Sequence, residues 1–127
     1  MSRRRLKVFF DGGCRPNPGP IEVAVVMRGT AHLFTDLGQG GNEDAEWLAL
    51  IRALELAQAS GEAEIELIGD SREVVRRADA VLRTGQADGA HAAAFRALVA
   101  KGAPARVRWI RRGQNLAGIA LAARHPR

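Results

Sequence analysis

The order of apolar runs along this chain constrains its fold more than any other feature. Three runs with β-strand composition come first, at residues 6–10, 21–27 and 31–37, and short connections join them. Two further β-type runs, at 63–69 and 105–110, are separated by runs with helical spacing. Strands joined by short loops pair antiparallel, and strands separated by a helix pair parallel. We therefore predict an α/β fold: a five-stranded mixed sheet, with three antiparallel strands plus two parallel strands, flanked by helices.

Capping residues set the expected helix limits. Asn42 is the predicted N-cap of the first helix, and Gly61 follows its last apolar position. Ser71 is the predicted N-cap of the second helix, which stops at Gly85. A third helix is expected before the last β-type run, and a fourth at 115–124.

Three acids lie where these elements begin or end. Asp11 follows the first strand and enters the segment GGCRPNPGP, where an acid has no packing role. Asp70 follows the fourth strand, and Glu46 is expected on the first turn of the first helix. If the first and fourth strands are parallel neighbours, Asp11 and Asp70 lie at one sheet edge with backbones ~4.8 Å apart. Ligands of open α/β sheets bind at this edge, so the three carboxylates are candidates for one shared site.

The ligand type indicates the chemistry of such a site. Carboxylates without histidine or thiolate suit Mg²⁺ or Mn²⁺. Two such ions ~4 Å apart can activate a water and stabilise the leaving oxygen in phosphodiester hydrolysis. Each acid alone also has a plainer explanation, because Asp and Glu at element ends often cap helices or face water.

The charge of the chain is basic and unevenly placed. The formal net charge is +5 over 127 residues, which we expect to form one domain. Basic residues crowd both ends: Arg3, Arg4, Arg5 and Lys7 at the start, and Arg106, Arg108, Arg111, Arg112, Arg124 and Arg127 at the end. A basic rim around an acidic cluster predicts a polyanionic substrate that is held by the rim and cut at the centre. The alternative is a solvated, arginine-rich surface.

The single cysteine, Cys14, excludes an internal disulfide framework and a cysteine zinc site. This usage favours a reducing, cytoplasmic location. The apolar run LKVFF is too short for the core of a secretory signal, and no stretch approaches the ~20 apolar residues of a membrane span. We therefore expect no association with a membrane.

Several motifs, in order, resemble those of the type I ribonuclease H family. DGGCRPNPGP resembles the family's DGSxxxNPGP motif, NEDAEWLALIRALELA its TNNxAExxALxxAL helix, and IGDS its TDS motif. RWIRRGQNLAGIALA resembles the closing strand, basic turn and NxxADxLA helix of compact members. The resemblance covers nearly all of residues 1–127 and implies a single ribonuclease H-like domain. It implies hydrolysis of the RNA strand of RNA/DNA hybrids, with no obligate protein partner inferred.

Carried over residue by residue, the resemblance implies that Asp11, Glu46 and Asp70 are the catalytic acids. It also implies that they bind two metal ions, which are Mg²⁺ or Mn²⁺. It also implies a set of substrate-binding residues: Gly12, Gly13, Cys14, Asn17, Asn42, Ser71, Arg72, Arg111, Arg112 and Asn115. Backbone amides of the first loop would approach RNA 2′-hydroxyl groups. The plainer roles of Asn17 and Asn42 are turn formation and helix capping.

The chain departs from the family pattern at the fourth metal-binding acid, where Gly118 stands. His125, Glu43 or Asp44 could substitute in part, or could simply face solvent. The loop 84–89 carries no lysine or arginine, so the basic handle that some members use to hold the hybrid is absent.

Two functions therefore stay open. One is a metal-dependent endonuclease with reduced activity, and the other is a nucleic-acid-binding module that has lost turnover. Three acids favour the enzyme, because a pure binding module gains nothing from repelling carboxylates beneath a phosphate. A nucleotide-binding domain is disfavoured, since no Gly-Lys-Ser/Thr follows the glycine-rich turn.

Overall fold

The computed structural model of the protein describes residues 5–125, so Arg3, Arg4 and Arg127 of the expected basic ends lie outside it. The strands are β1 Leu6–Cys14, β2 Gly19–Met27, β3 Thr30–Phe34, β4 Gln39–Gly40, β5 Ile65–Gly69 and β6 Arg106–Trp109. The helices are α1 Asn42–Ala59, α2 Arg72–Thr84, α3 Ala90–Val99 and α4 Leu116–Ala122, with a 3₁₀ turn at Arg112–Gln114. None of the helices within 5–125 is both long enough and apolar enough to cross a membrane.

The sheet is mixed, as the order of elements predicts. Its strands lie in the order β3-β2-β1-β5-β6. The pairs β3–β2 and β2–β1 are antiparallel, and β5 and β6 run parallel to β1. The two-residue strand β4 pairs with the start of β2, so the sheet has six strands rather than the five expected. The glycine-rich segment GQGGN lacks the apolar periodicity by which a strand is recognised in sequence.

The two faces of the sheet carry different layers. Val8 and Phe10 of β1 point into the main core, which α1, α2 and α3 cover. Phe9 points to the opposite face, where it packs with Ala24 and Val26 against α4. Alternation along a strand then places Asp11, two residues after Phe9, on the α4 face.

Strand β1 is longer than expected. It continues to Cys14 instead of ending at Phe10, because its antiparallel pairing with β2 extends to Cys14↔Ile21. Its parallel pairing with β5 ends earlier, at Phe9↔Ile68. Two other elements end earlier than predicted. Strand β3 ends at Phe34 and not at residue 37, and α4 ends at Ala122 and not at residue 124.

The helix caps agree with the sequence in one case and differ in another. Ser71 caps α2, as predicted, and Gly85 ends it in the left-handed conformation. The prediction for α1 was wrong: Gly41 is its N-cap and Asn42 is its first residue. Glu46 therefore lies at the start of the second turn rather than on the first.

Candidate active site

Three carboxylates meet at the sheet edge where β1 and β5 separate. The parallel pairing ends at Phe9↔Ile68, and the same offset places Asp11 level with Asp70. Glu46 reaches this edge from α1. Ligand atoms of the three acids lie within 4.8 Å of one another. The structure thus brings together the acids that the sequence singles out.

Gly12 allows α1 to approach β1 this closely. A Cβ atom on Gly12 would lie 2.2 Å from the carbonyl oxygen of Ala45, so no larger residue fits without a shift. The amide of Gly12 donates a hydrogen bond to Oε1 of Glu46 at 2.6 Å. Gly12 thus positions a catalytic candidate, and the contact of its amide with substrate stays a prediction.

Burial and mutual repulsion raise the pKa of two of the acids. Burial, followed by the charge of Asp11, raises the pKa of Glu46 to about 9. Burial, followed by the charge of Asp70, raises the pKa of Asp11 to about 6. Without a cation the cluster therefore retains a proton near neutral pH. A nearby divalent cation favours the ionised form of every carboxylate, so the donor set fits such an ion.

Asp70 is held from two sides. Nδ2 of Asn115 donates to Oδ2 of Asp70 at 2.9 Å and to the carbonyl of Phe10 at 3.0 Å. Oδ1 of Asn115 caps α4 by accepting from the amide of Ala117. Nε1 of Trp109 donates to the backbone carbonyl of Asp70 at 3.0 Å. Asn115 is fully buried and positions Asp70, and its contact with substrate stays a prediction.

Hydrogen bonds join the first loop to β4 and to the start of α1. Oδ1 of Asn42 accepts from the amide of Cys14, and Oδ1 of Asn17 accepts from the amide of Asn42, both at 3.2 Å. The Cys14 thiol is buried and donates to the carbonyl of Gly40, and its contact with substrate stays a prediction. At Gly13 an added Cβ would meet only Oδ1 of Asn42, at 4.0 Å. Gly13 is therefore the loop residue whose backbone a ligand can approach.

The acids lie in a cavity of about 580 Å³ whose cationic lining residues are Arg112 and Arg15. Arg112 comes from the 3₁₀ turn before α4. Arg111 is exposed and does not line the cavity, so the structure separates two arginines that the sequence treats as a pair.

Ser71 and Arg72 lie at the start of α2, beside Asp70. The Ser71 hydroxyl lines the cavity and accepts a hydrogen bond from the amide of Val74. The guanidinium carbon of Arg72 lies 3.8 Å from the ring centroid of Trp109. Trp109 thus contacts both Asp70 and Arg72, which restricts the positions that the Arg72 side chain can adopt.

Gly118 lines the cavity from α4. Within 5–125 no other acid or histidine joins the three carboxylates as a metal-ligating group. The three candidate substitutes have other partners: His125 contacts Glu22, Asp44 accepts from the amide of Gly41, and Glu43 pairs with Arg77.

Sequence reasoning missed three residues of the site: Trp109, Arg15 and Glu22. Trp109 is the last residue of β6 and lies two residues before the basic turn, and its partner Asp70 lies 39 residues away in sequence. Glu22 interrupts the apolar run IEVAVVM, and an acid inside a strand is a signal that could have been used. It lines the cavity from β2.

A family model described as reverse transcriptase-like matches residues 9–125. The crystal structure of ribonuclease H1 from Halobacterium salinarum aligns over 93% of this chain and 94% of its own, with 31% identity and a TM-score of 0.76. The chain belongs to the type I ribonuclease H family. The family and the fold predicted from the sequence are thereby confirmed.

Other members of the family show how far the likeness extends. A curated ribonuclease HI of H. salinarum is 37% identical over 89 residues, which is 66% of this chain and 45% of that protein. The crystal structure of LC11-RNase H1 in complex with an RNA/DNA hybrid aligns over 92% of this chain and 93% of its own, with 28% identity and a TM-score of 0.72. The chain spans less than half the length of the curated relatives that it matches.

Proposed function

We propose that this protein is a metal-dependent endonuclease that hydrolyses the RNA strand of RNA/DNA hybrids. The observation that carries the proposal is the convergence of Asp11, Glu46 and Asp70 within 4.8 Å in an open, partly basic cavity. LC11-RNase H1, with the same fold, has been crystallised with an RNA/DNA hybrid, which supports the substrate class.

Asp11, Glu46 and Asp70 would hold Mg²⁺ or Mn²⁺. All donors are carboxylate oxygens, and burial, followed by the charge of the neighbouring carboxylates, raises the pKa of Asp11 and of Glu46. Bound ions would supply an activated water and would neutralise charge on the phosphate and the leaving oxygen.

The remaining residues of the site bind and orient. Arg112 is placed to contact a phosphate beside the acids, and the Gly13 backbone offers a close approach to a sugar. Contact of a backbone group with a 2′-hydroxyl would select RNA over DNA at that position. Arg72, supported by Trp109, would contact a neighbouring phosphate.

A second candidate function is a hybrid-binding module with little or no turnover. Gly118 favours it, because α4 offers no carboxylate at the point where it comes closest to Asp11 and Asp70. Such a module would keep the cavity and its arginines and would lose occupancy of a second ion.

A cleavage assay distinguishes these functions. It compares labelled hybrid, single-stranded RNA and double-stranded RNA, each with Mg²⁺ or Mn²⁺. We expect cleavage of the RNA strand of the hybrid alone. Asp70→Asn should abolish it and leave hybrid binding intact, whereas Asp79→Asn, an exposed control on α2, should retain it. Tight binding of hybrid without cleavage in either metal would establish the binding module instead. Equal cleavage of all three substrates would overturn the hybrid specificity.

A further inference from the structure

A second groove lies at the other end of β1, away from the three acids. It has a volume of about 610 Å³ and is lined by Arg5, Leu6, Lys7, Phe9 and Arg28. Lys7 precedes Asp11 by four residues, which corresponds to ~13 Å along a strand. Charge at this end of the strand is therefore separate from the proposed active site. We refer to these five residues as the open-face groove.

The groove lies open because α4 is short. Lys7 and Phe9 alternate onto the α4 face of the sheet, and α4 packs on β1, β2 and β3. Because α4 has only seven residues, no helix within 5–125 covers the β5 and β6 side of this face. Half-buried Phe9 supplies an apolar floor between cations, whereas the Leu6 side chain packs against the main core on the opposite face.

Positive charge exceeds negative charge around the groove. Lys7 is in register with Glu66, which is buried and which also accepts from Arg5 at 3.4 Å and from Arg108 at 3.3 Å. Arg106 approaches the same carboxylate at 3.9 Å. One carboxylate cannot neutralise four cations. The side chains of Arg5 and Arg106 remain 43% and 54% exposed, so their charge faces solvent.

Arg28 adds an independent observation. It forms the β2–β3 hairpin with Gly29, and both have positive φ, at 53° and 77°. Asparagine, aspartate and glycine are the residues that such a turn favours, because a larger side chain is strained in the left-handed region. The Arg28 side chain is 55% exposed and contacts Glu62, so burial does not explain the arginine. A strained residue without a packing role indicates function.

We propose that the open-face groove binds single-stranded nucleic acid. Lys7, Arg28 and Arg5 would contact successive phosphates, and a base would pack on the apolar floor formed by Phe9. A cationic track beside an aromatic residue is how single strands are bound without sequence preference. This binding is a second activity and does not depend on cleavage at the acids.

The test measures binding of the full chain, without metal, to labelled oligothymidine of about 12 nucleotides. Lys7→Glu and Arg28→Asn should each weaken binding several-fold and should reduce the slope of log K against log salt by ~0.7 for each phosphate that the variant no longer neutralises. Lys101→Glu is the matched control, because it changes the charge equally at an exposed position after α3. Equal decreases in affinity for Lys7→Glu and Lys101→Glu would overturn the proposal.

Two further measurements separate binding from other effects. Asparagine suits the left-handed turn, so Arg28→Asn should keep or raise the unfolding midpoint while it weakens binding. If binding falls only in variants whose midpoint also falls, the groove has a structural role and the proposal fails. Polyglutamate of equal length tests for an acidic protein as the occupant, and binding as tight as that of oligothymidine would overturn the assignment to nucleic acid.

Discussion

Gly118 faces Asp11 across the cavity: a Cβ atom added to Gly118 would lie 3.4 Å from Oδ2 of Asp11 and 3.6 Å from Oδ2 of Asp70. Both separations are ordinary van der Waals contacts, so a small side chain fits there. The φ angle of Gly118 is not positive, and the residue lies inside α4. A carboxylate at this position would therefore join the three acids without distorting the helix.

We predict that Gly118→Asp raises hydrolysis of a hybrid at limiting Mg²⁺ by roughly tenfold, on the scale by which supporting groups of metal sites alter affinity. The added carboxylate increases repulsion in the metal-free cluster and is stabilised when a cation binds. Titrating Mg²⁺ against the rate of hydrolysis measures the first effect, and titrating Mg²⁺ against the unfolding temperature measures stabilisation by the bound cation.

Gly118→Ala is the control for helix propensity. It should stabilise the protein by up to ~1 kcal/mol without changing its response to metal. If the aspartate and alanine variants respond to Mg²⁺ identically, Gly118 does not contribute to the metal site.

Trp109→Phe should lower metal affinity while the fold is retained. The phenyl ring can still pack against Arg72, but the hydrogen bond from Nε1 to the carbonyl of Asp70 is removed, at a cost of about 1 kcal/mol. Trp47→Phe is the matched control, because Nε1 of Trp47 is buried and donates to no acceptor among the residues that the structure describes. Equal decreases in metal affinity for the two variants would show that Trp109 does not position Asp70.

Arg112 and Arg111 should differ in their effect on hybrid binding. Arg112 lines the cavity and Arg111 does not. Arg112→Ala should therefore reduce the slope of log K against log salt by ~0.9, which is the value for one phosphate that is no longer neutralised. Arg111→Ala should change this slope little. Binding isotherms at several salt concentrations measure the slopes, and the double variant should match Arg112→Ala. Equal slopes in the two single variants would contradict the assignment.

The sequence predicted the mixed sheet and the meeting of the three acids because apolar runs and capping residues mark where each strand and helix begins and ends. Apolar runs and caps give β1, β5 and α1, and parallel pairing then aligns Asp11 with Asp70. Side-chain direction was not predictable in the same way. Asn115 was expected at the substrate and is buried, because its partners Phe10 and Asp70 lie 105 and 45 residues away.

Glycine positions show the same limit. Gly12 and Gly13 are adjacent and equivalent in sequence, yet α1 packs against the first and leaves the second open to the cavity. Only the approach of Ala45 distinguishes them. Two other features likewise depend on contacts and not on local propensity. The short strand β4 forms because it pairs with β2. Gly41 is the N-cap of α1, and its amide donates to the carboxylate of Asp44.

The carboxylate of Glu22 should make the stability of the protein depend on pH. Burial raises the pKa of this group, but hydrogen bonds and charge from His125 and Arg124 outweigh burial, and the net pKa is below the ordinary value of 4.5. A carboxyl whose pKa is depressed by folding stabilises the protein fully above its unfolded pKa, and this contribution is lost as pH falls through the folded pKa. The free energy of unfolding of the parent should therefore exceed that of Glu22→Gln by more at about pH 6 than at about pH 3.

Urea unfolding of parent and Glu22→Gln at both pH values measures this difference, and Glu55→Gln serves as the control. Glu55 contacts one arginine, Arg52, and its side chain is 43% exposed, so its replacement should change stability by at most ~0.5 kcal/mol. Glu22 is 15% exposed and joins β2 to the chain that follows α4, so its effect on stability should be larger. A difference between parent and Glu22→Gln that does not decrease at acid pH would mean that the contacts with His125 and Arg124 do not stabilise the ionised carboxylate.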